Sequence, residues 1–402
     1  MSINNLGLSI LDNSRESLGI YIHIPFCVSK CKYCAFVSMV ADENDKKRYF
    51  VDLLNEIKIQ AKKYSKHYSV SSIYIGGGTP SCLDYYYVRD LLSCIYKNFA
   101  VKNTAEITIE INPNSADKLK IREYVLSGVN RFSIGLQSVN PKILKDMGRT
   151  HTVHDFENVV NEIREYGIKN ISADLILGYP GQKMSDIKDI LTLLIKLQIP
   201  HISTYILQVE NGTKLKTLVD NGVVSLPDEE LVVNMYNTVF ETLSKYGYDR
   251  YELSNFAKPT FESVHNSSYW KRKDYLGIGL AAHSYIDGTR FANTDQIALY
   301  AQKIEDEEEI PIEVSKNLTV EEMKEEFVML SLRTKEGVDL EAYKKEFGEN
   351  LAARKKSTIA ELIKHGFLIL TNDNHLICTN KGFMVLNRII LELVDDDDVV
   401  NK

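Results

Sequence analysis

The stretch that indicates the fold of this 402-residue chain reads Tyr21-Ile-His-Ile-Pro-Phe-Cys27-Val-Ser-Lys-Cys31-Lys-Tyr-Cys34. Its β-rich beginning predicts a strand from Gly19 to Ile24, and the three cysteines follow at once. Cysteine thiolates hold iron–sulfur clusters, normally four of them, so three would leave one iron open to a small molecule. A zinc knuckle with His23 as its fourth ligand is the alternative, although the chain has no second cysteine pair for one.

Outward from this stretch, β-rich runs alternate with helical stretches. Strand followed by helix, six times, predicts an α/β fold with a parallel sheet. Six units instead of eight indicate an incomplete barrel or an open sheet, with the chemistry at the carboxyl ends of the strands. The further predicted strands are Ser71–Gly76, Ala105–Ile111, Val129–Gly135, Asn170–Leu177 and His201–Leu207, and the predicted helices are Asp42–Tyr64, Tyr85–Lys97, Asp117–Leu126, Val153–Tyr166 and Lys183–Leu197.

The pattern changes after Asn293, and we expect two domains, residues 1–300 and 301–402. The acidic run Glu305–Glu309 before Pro311 predicts a linker or an exposed helix end. Thr319-Val-Glu-Glu322 is a capping box that opens a helix, and further helices precede a hairpin around Asn372-Asp-Asn374. Helices followed by a hairpin predict a smaller, winged-helix-like domain at the C-terminus.

Composition excludes several classes of function. The net charge is −7 and acidic residues slightly outnumber basic ones after Lys316, so the positive patch of a nucleic-acid protein is missing. No apolar run reaches the ~18 to 20 residues that span a bilayer. The polar stretch Met1–Gly19 has no apolar core of the signal-peptide kind. We therefore expect a cytoplasmic protein that binds no nucleic acid.

The cysteine stretch resembles the signature of radical S-adenosylmethionine (SAM) proteins, and more narrowly the branch that contains oxygen-independent coproporphyrinogen III oxidase. The resemblance implies a partial (β/α)6 barrel and a [4Fe–4S] cluster held by Cys27, Cys31 and Cys34. It also implies that the amine and carboxylate of SAM occupy the open iron, and that reduction cleaves SAM to methionine and a 5′-deoxyadenosyl radical. The cofactor then carries the chemistry, and the protein supplies binding and orientation.

The resemblance extends to polar residues near successive strand ends. Gly76-Gly-Gly-Thr79-Pro80 matches a segment of the family that contacts the SAM amino group, and its glycines are expected to let the backbone approach the ligand. Arg149 suits the SAM carboxylate, whereas Glu110 and Asp174 suit amine or hydroxyl donors. The SAM-binding residues implied are Tyr21, Tyr33, Gly77, Gly78, Thr79, Glu110, Gln137, Arg149 and Asp174.

A later block, His265-Asn266-Ser-Ser-Tyr269-Trp270, resembles the His-Asn-x-x-Tyr-Trp motif associated with haem binding in the haem-chaperone branch of the family. Neutral imidazole is a good axial ligand for haem iron, so His265 is the candidate for iron contact. Trp270, with Tyr269, could cover a porphyrin face. The alternative is that His265 and Trp270 are packing groups. His283 is a second candidate ligand, for which a hydrogen-bonded core histidine is the favoured interpretation.

The hypothesis is a [4Fe–4S] protein that binds SAM and haem and delivers haem to apoproteins, membrane cytochromes among them. A homodimer is a further expected assembly. The first alternative is oxygen-independent coproporphyrinogen III oxidation, which Phe36 argues against because that enzyme has a further cysteine at this position. The second is a radical-SAM methyltransferase or haem-modifying enzyme. Whether the protein turns over a substrate as an enzyme is left open by the sequence.

Overall fold

The computed structural model describes residues 15–306 and 309–395. The N-terminal residues 1–14, positions 307–308 of the acidic run and the acidic tail from residue 396 onward lie outside this description. Within the described ranges, no helix is both long enough and apolar enough to cross a membrane.

Twelve strands form one large sheet within the described chain. Those strands are, in chain order, β1 (Glu16–Ile24), β2 (Tyr68–Gly77), β3 (Ala100–Ile111), β4 (Arg131–Gln137), β5 (Ile171–Leu177), β6 (His201–Ile206), β7 (Asp249–Arg250), β8 (Asn255–Ala257), β9 (Tyr275–Ile278), β10 (His283–Ile286), β11 (Thr289–Asn293) and β12 (Ile312–Asn317).

Seven neighbouring strands of this sheet are parallel, in the order β9-β1-β2-β3-β4-β5-β6. Antiparallel strands extend both edges, β10 to β12 beyond β9 and β8 with β7 beyond β6, so the sheet does not close. The predicted open α/β fold is confirmed. The seventh parallel strand, β9, and the antiparallel extensions were not predicted.

Helices follow the parallel strands, and the five predicted ones occur to within one residue at each end. A capping box at Thr152 and N-cap side chains at Asp42 and Asp117 fix three of these starts. The helices before the C-terminal domain are α1 (Glu43–Tyr64), α2 (Tyr85–Asn98), α3 (Lys118–Leu126), α4 (Pro141–Met147), α5 (Val153–Glu165), α6 (Met184–Lys196), α7 (Lys214–Asp220), α8 (Glu229–Lys245), α9 (Val264–Trp270) and α10 (Ile297–Asp306).

The parallel strands have one apolar and one polar face, because successive side chains point to opposite sides. In β1, Leu18, Ile20 and Ile22 are fully buried in the large hydrophobic core. The register of the strands brings the polar side chains of neighbouring strands together on the opposite face of the sheet: Tyr21 pairs with Tyr74, and Glu110 with Ser133. This polar face comprises Tyr21, His23, Ser72, Tyr74, Glu106, Thr108, Glu110, Arg131, Ser133, Ser172, Asp174, His201, Ser203 and Tyr205.

A second domain with its own core lies at the C-terminus. The predicted capping box is present at Thr319 and Glu322. Further helices follow it, as predicted, and the two helices on either side of Lys355 are separated by that residue. Its three strands pair in the order β13-β15-β14, as expected for a winged-helix-like domain. Its elements are α11 (Val320–Ser331), β13 (Val338–Asp339), α12 (Leu340–Phe347), α13 (Leu351–Arg354), α14 (Lys356–Lys364), β14 (Leu368–Leu370), β15 (His375–Cys378), α15 (Asn380–Phe383) and α16 (Leu386–Val394).

The boundary between the two domains at residue 300 stays a prediction. The large sheet itself continues to Asn317, where β12 ends.

Candidate iron–sulfur and cofactor site

The three clustered cysteines lie on the loop that leaves the carboxyl end of β1. Backbone hydrogen bonds fix this loop: the Cys27 amide donates to Met39 O (2.9 Å), and the Lys32 amide donates to Met147 O of α4 (3.0 Å). All three cysteines are free thiols, and all three are partly exposed. Burial raises the pKa of the Cys27 and Cys34 thiols. The positive charge of bound iron would favour the thiolate form that ligates metal.

The surroundings of His23 argue against the single-zinc alternative. Its Nδ1 lies 2.9 Å from the Tyr21 hydroxyl and its Nε2 lies 2.8 Å from Val37 O, so both ring nitrogens have partners. In the described part of the chain, no three His, Cys, Asp or Glu side chains lie close enough together to hold one metal ion. Three cysteines on one fixed loop fit the thiolate set of an iron–sulfur cluster with one open iron.

The glycine loop that ends β2 packs directly on the cysteine loop. The Gly78 amide donates to Ile24 O (2.7 Å) and the Thr79 amide to Phe26 O (2.8 Å). A Cβ atom on Gly78 would lie 2.6 Å from Phe26 O, and one on Gly77, whose φ is +109°, would lie 2.6 Å from the His23 ring. These close contacts are with the chain itself, so packing against β1 already requires the glycines, independently of any ligand.

Glu110 lies at the end of β3, beside the glycine loop. Its Oε1 accepts a hydrogen bond from the Tyr74 hydroxyl (2.8 Å) and its Oε2 accepts one from the Gly77 amide (3.3 Å). The pKa of Glu110 is raised to about 7, chiefly by burial and also by the nearby Asp174 carboxylate, although these hydrogen bonds act to lower it. Burial also raises the pKa of Tyr21, helped by the charge of Glu110.

Arg149 connects β4 to the cysteine loop. Its guanidinium donates to Gly135 O (2.7 Å) and to the Tyr33 hydroxyl (3.5 Å), and it lies 3.9 Å from Cys31 Sγ. A cation beside a thiol suits both a thiolate and the carboxylate of a ligand. Arg149 therefore joins Cys31 and Tyr33 in space, although it lies 118 and 116 positions from them in the sequence.

Gln137 and Asp174 carry signs of a binding site on the neighbouring strands. Gln137 has a left-handed backbone (φ +62°), and its buried Oε1 has no partner in the described structure. Strained backbone and unsatisfied buried polar atoms concentrate at functional sites. Asp174 accepts hydrogen bonds from Ser133 Oγ (3.1 and 3.2 Å), and burial raises its pKa.

His265 lies on α9, fully buried against the polar face of the sheet. Its Nδ1 is 2.9 Å from Ser72 Oγ and its Nε2 is 2.7 Å from the Tyr269 hydroxyl. Burial, with the nearby charge of Arg131, lowers its pKa to about 3, so the ring is neutral. Both nitrogens already have partners, and bonding to iron would require one of these contacts to open.

The other candidate haem residues differ in exposure. Trp270 is partly buried, and its Nε1 has no partner in the described structure. His283, at the start of β10, is exposed. The interpretation of His283 as a core histidine is therefore wrong, because the β9–β10 turn carries it to the surface.

The sequence interpretation missed several residues of the polar face. Glu106, on β3, accepts hydrogen bonds from the amides of Val264 and His265 (3.1 and 3.0 Å). Tyr74 contacts both Glu110 and His265. The signal that could have found them is the period-2 alternation of polar and apolar residues within each strand.

The fold and the cysteine loop define a radical SAM protein, and comparison with known proteins agrees. Residues 21–194 match the model described as "Radical SAM superfamily", and residues 318–385 match "HemN C-terminal domain". The structure resembles coproporphyrinogen III oxidase (HemN) from Escherichia coli with a TM-score of 0.83, covering 94% of this chain and 90% of that one. At 22% identity this likeness concerns the fold alone.

The similar sequences define the family more narrowly. "Heme chaperone HemW" of Lactococcus lactis subsp. lactis is 35% identical over 378 residues, which cover 94% of this chain and 97% of that protein. The protein of the same name from Bacillus subtilis is 33% identical, covering 92% and 97%. The Danio rerio protein "Radical S-adenosyl methionine domain-containing protein 1, mitochondrial" is 31% identical, covering 92% and 85%. The chain belongs to the HemW family.

Proposed function

We propose that the protein binds haem and delivers it to haem-requiring apoproteins. The observation that carries the proposal is similarity over nearly the whole length of proteins named heme chaperone. Phe36 adds support, because the side chain at the position of the oxidase's further cysteine is an apolar group that is 68% exposed. Membrane cytochromes as recipients, a homodimer and a cytoplasmic location are finer parts of the same proposal.

We further propose that Cys27, Cys31 and Cys34 hold a [4Fe–4S] cluster. The cluster would supply an open iron for the amine and carboxylate of SAM, and an electron for the reductive cleavage of SAM. Arg149 beside Cys31 would neutralise the SAM carboxylate, and the Thr79 hydroxyl, 3.5 Å from Cys27 Sγ, would accept from its amine.

The remaining SAM contacts in this proposal come from the polar face and the glycine loop. Glu110 and Asp174 offer carboxylate oxygens to amine or hydroxyl donors, and Gln137 offers its unpartnered Oε1. The amides of Gly77 and Gly78 already have partners, so their carbonyl oxygens are the groups that suit the N–H donors of an amine. Tyr21 and Tyr33 would line the remaining sides of the proposed SAM pocket.

The haem part of the proposal assigns iron contact to His265 and porphyrin contact to Trp270. Because both His265 nitrogens have partners, coordination would begin with release of the Ser72 or the Tyr269 contact. His283 is the exposed alternative ligand. The structure thus supplies two histidines whose roles a single pair of variants can separate.

The proposal is tested with protein whose cluster has been reconstituted anaerobically. Haem titration followed by absorbance should show binding, and His265→Ala should weaken it about tenfold while the cluster absorbance stays intact. His154→Ala, which removes an exposed histidine from α5, is the matched control and should bind haem like the parent. His283→Ala examines the second candidate in the same assay.

Two results would contradict the proposal. One is a parent protein with a full cluster that binds no haem, or that binds haem but passes none to an apo-cytochrome. The other is accumulation of protoporphyrin over many turnovers from coproporphyrinogen III, SAM and a reductant, which would establish the oxidase alternative.

A further inference from the structure

Tyr74 of β2 contacts both proposed ligand sites. Its ring stacks on the His265 ring, with centroids 5.2 Å apart and planes 28° apart. Its hydroxyl donates to Glu110 Oε1 at 2.8 Å. One side chain therefore touches the histidine of the haem motif and orients the carboxylate of the SAM pocket.

The His265 ring is in contact with several side chains of the sheet and of its own helix. Ser72 and Tyr269 bind its two nitrogens, and Tyr74 covers one ring face. A Cβ atom on Gly19 would lie 3.5 Å from the ring, an ordinary van der Waals distance, so β1 also runs close beside the imidazole. Coordination of a haem iron would open the Ser72 or the Tyr269 contact, and a ring that turns away from Ser72 would also shift on the Tyr74 ring.

The contacts of Glu110 lead from Tyr74 to the glycine loop. The carboxylate holds Tyr74 through one oxygen and the Gly77 amide through the other. Gly77 in turn packs on the His23 ring, immediately before the cysteine loop. A shift of Tyr74 would therefore remove one of two hydrogen bonds that fix Glu110 where a SAM amine would meet it.

We infer that Tyr74 is a positioning residue that couples the haem motif to the SAM pocket, an inference that rests on the proposed function. When the His265 ring moves away from Ser72 to bind iron, Tyr74 loses its stacking partner. The Tyr74 hydroxyl then orients Glu110 less well, so SAM binds more weakly. Coupling between two binding equilibria is reciprocal, so bound SAM opposes coordination of haem by His265 to the same extent. SAM and haem are then antagonists on this protein.

The first test measures the haem dissociation constant with and without saturating SAM. In the parent protein SAM should weaken haem binding about tenfold, and haem should weaken SAM binding by the same factor. Tyr74→Phe keeps the stacked ring but loses the hydroxyl, and the effect should shrink to about twofold or less. Tyr68→Phe is the matched control, because this tyrosine of the same strand donates to Asp274 (2.7 Å) away from both sites.

A second measurement needs no haem. Trp270 is the only tryptophan of the chain and lies on α9 with His265, so its fluorescence reports on that helix alone. SAM should lower acrylamide quenching of Trp270 in the parent protein and leave it unchanged in Tyr74→Phe. Ser72→Ala removes one contact of His265 without touching Glu110; quenching should rise and SAM affinity should fall.

The results test the coupling through Tyr74 and the proposed haem binding separately. An equal effect of SAM in the parent and Tyr74→Phe, or no effect in the parent, overturns the inference. A parent protein that binds no haem overturns the proposed function, and the quenching measurement then judges the coupling by itself. Reduced coupling in Tyr68→Phe as well would also overturn the role of Tyr74, since loss of any strand hydroxyl would then suffice.

Discussion

Glu110 carries a carboxyl group whose protonation falls within the working range of pH. Its pKa is raised to about 7 by burial and, to a smaller extent, by the Asp174 carboxylate, whereas the hydrogen bonds from Tyr74 and Gly77 act to lower it. Below that pH the group is predominantly neutral and is a weaker acceptor for the N–H groups of an amine. Above it the group is charged and can hold the amine that we assign to SAM.

The affinity for SAM should therefore rise with pH. If the ionised form of Glu110 binds, the dissociation constant should fall about tenfold between pH 6 and pH 8. Isothermal titration of reconstituted protein across this range measures the change, and Glu110→Gln should give a weaker and flatter profile. An equally steep profile in Glu110→Gln would show that another group titrates.

Helix α9 is a seven-residue element that the sheet holds in place. A helix this short is not stable by itself, so its tertiary contacts decide its position. Glu106 accepts hydrogen bonds from Ser263 Oγ (3.2 Å) and from two amides of the first turn, and its Oε2 lies 3.8 Å from Arg131 Nε. Both side chains of this ion pair are buried.

Loss of the Glu106 charge should destabilise the protein. Glu106→Gln leaves Arg131 buried without its partner, and we expect the free energy of unfolding to fall by about 3 kcal/mol. Denaturant unfolding of the apo-protein measures this. Glu165→Gln, which removes an exposed ion pair with Lys118, is the control and should leave the free energy of unfolding nearly unchanged. Similar losses in both variants would contradict the role given to Glu106.

The two domains have separate hydrophobic cores, and charged, aromatic and apolar side chains, Leu253 and Met384 among the apolar ones, make contacts between them. The Arg250 guanidinium lies over the Phe383 ring (3.8 Å) and the Phe240 ring (4.9 Å) and donates to Asn380 Oδ1 (2.9 Å). Arg272, two residues after α9, pairs with Glu346 of α12 (2.7 Å). The C-terminal domain thus contacts the segment that carries the haem motif.

Replacement of Arg250 should loosen this contact. Arg250→Ala removes a cation–π contact with Phe383 and a hydrogen bond to Asn380 across the domain boundary, together worth about 1.5 kcal/mol, so the separated state should become about tenfold more populated. The rate of limited tryptic cleavage between the domains should rise accordingly. Arg388→Ala, which removes an exposed arginine paired only within α16, should leave that rate unchanged. An unchanged rate in Arg250→Ala would mean that other contacts hold the domains together.

Much of the fold and part of the candidate site were predictable because they depend on local patterns. The helices follow from apolar periodicity and caps, as at Thr319, and the cysteine loop follows directly from the end of β1. Polar residues such as Glu110 were predicted at strand ends, and parallel strands bring those ends to one edge. Arg149 was also identified, but its contact with Cys31 depends on how α4 packs, which no local pattern specifies.

The sequence by itself determined the six parallel strands, their helices and the thiol-bearing loop, since these need only neighbouring residues. The tertiary structure alone decided that β9 joins the sheet beside β1 and that α9 lies against the polar face. It also decided that the His265 ring meets Tyr74 and Ser72, the latter 193 positions away in the chain. The physical reason is that long-range packing depends on the shape and chemistry of both partners: the hydroxyl and the aromatic ring on β2 contact this histidine only once α9 lies against the sheet.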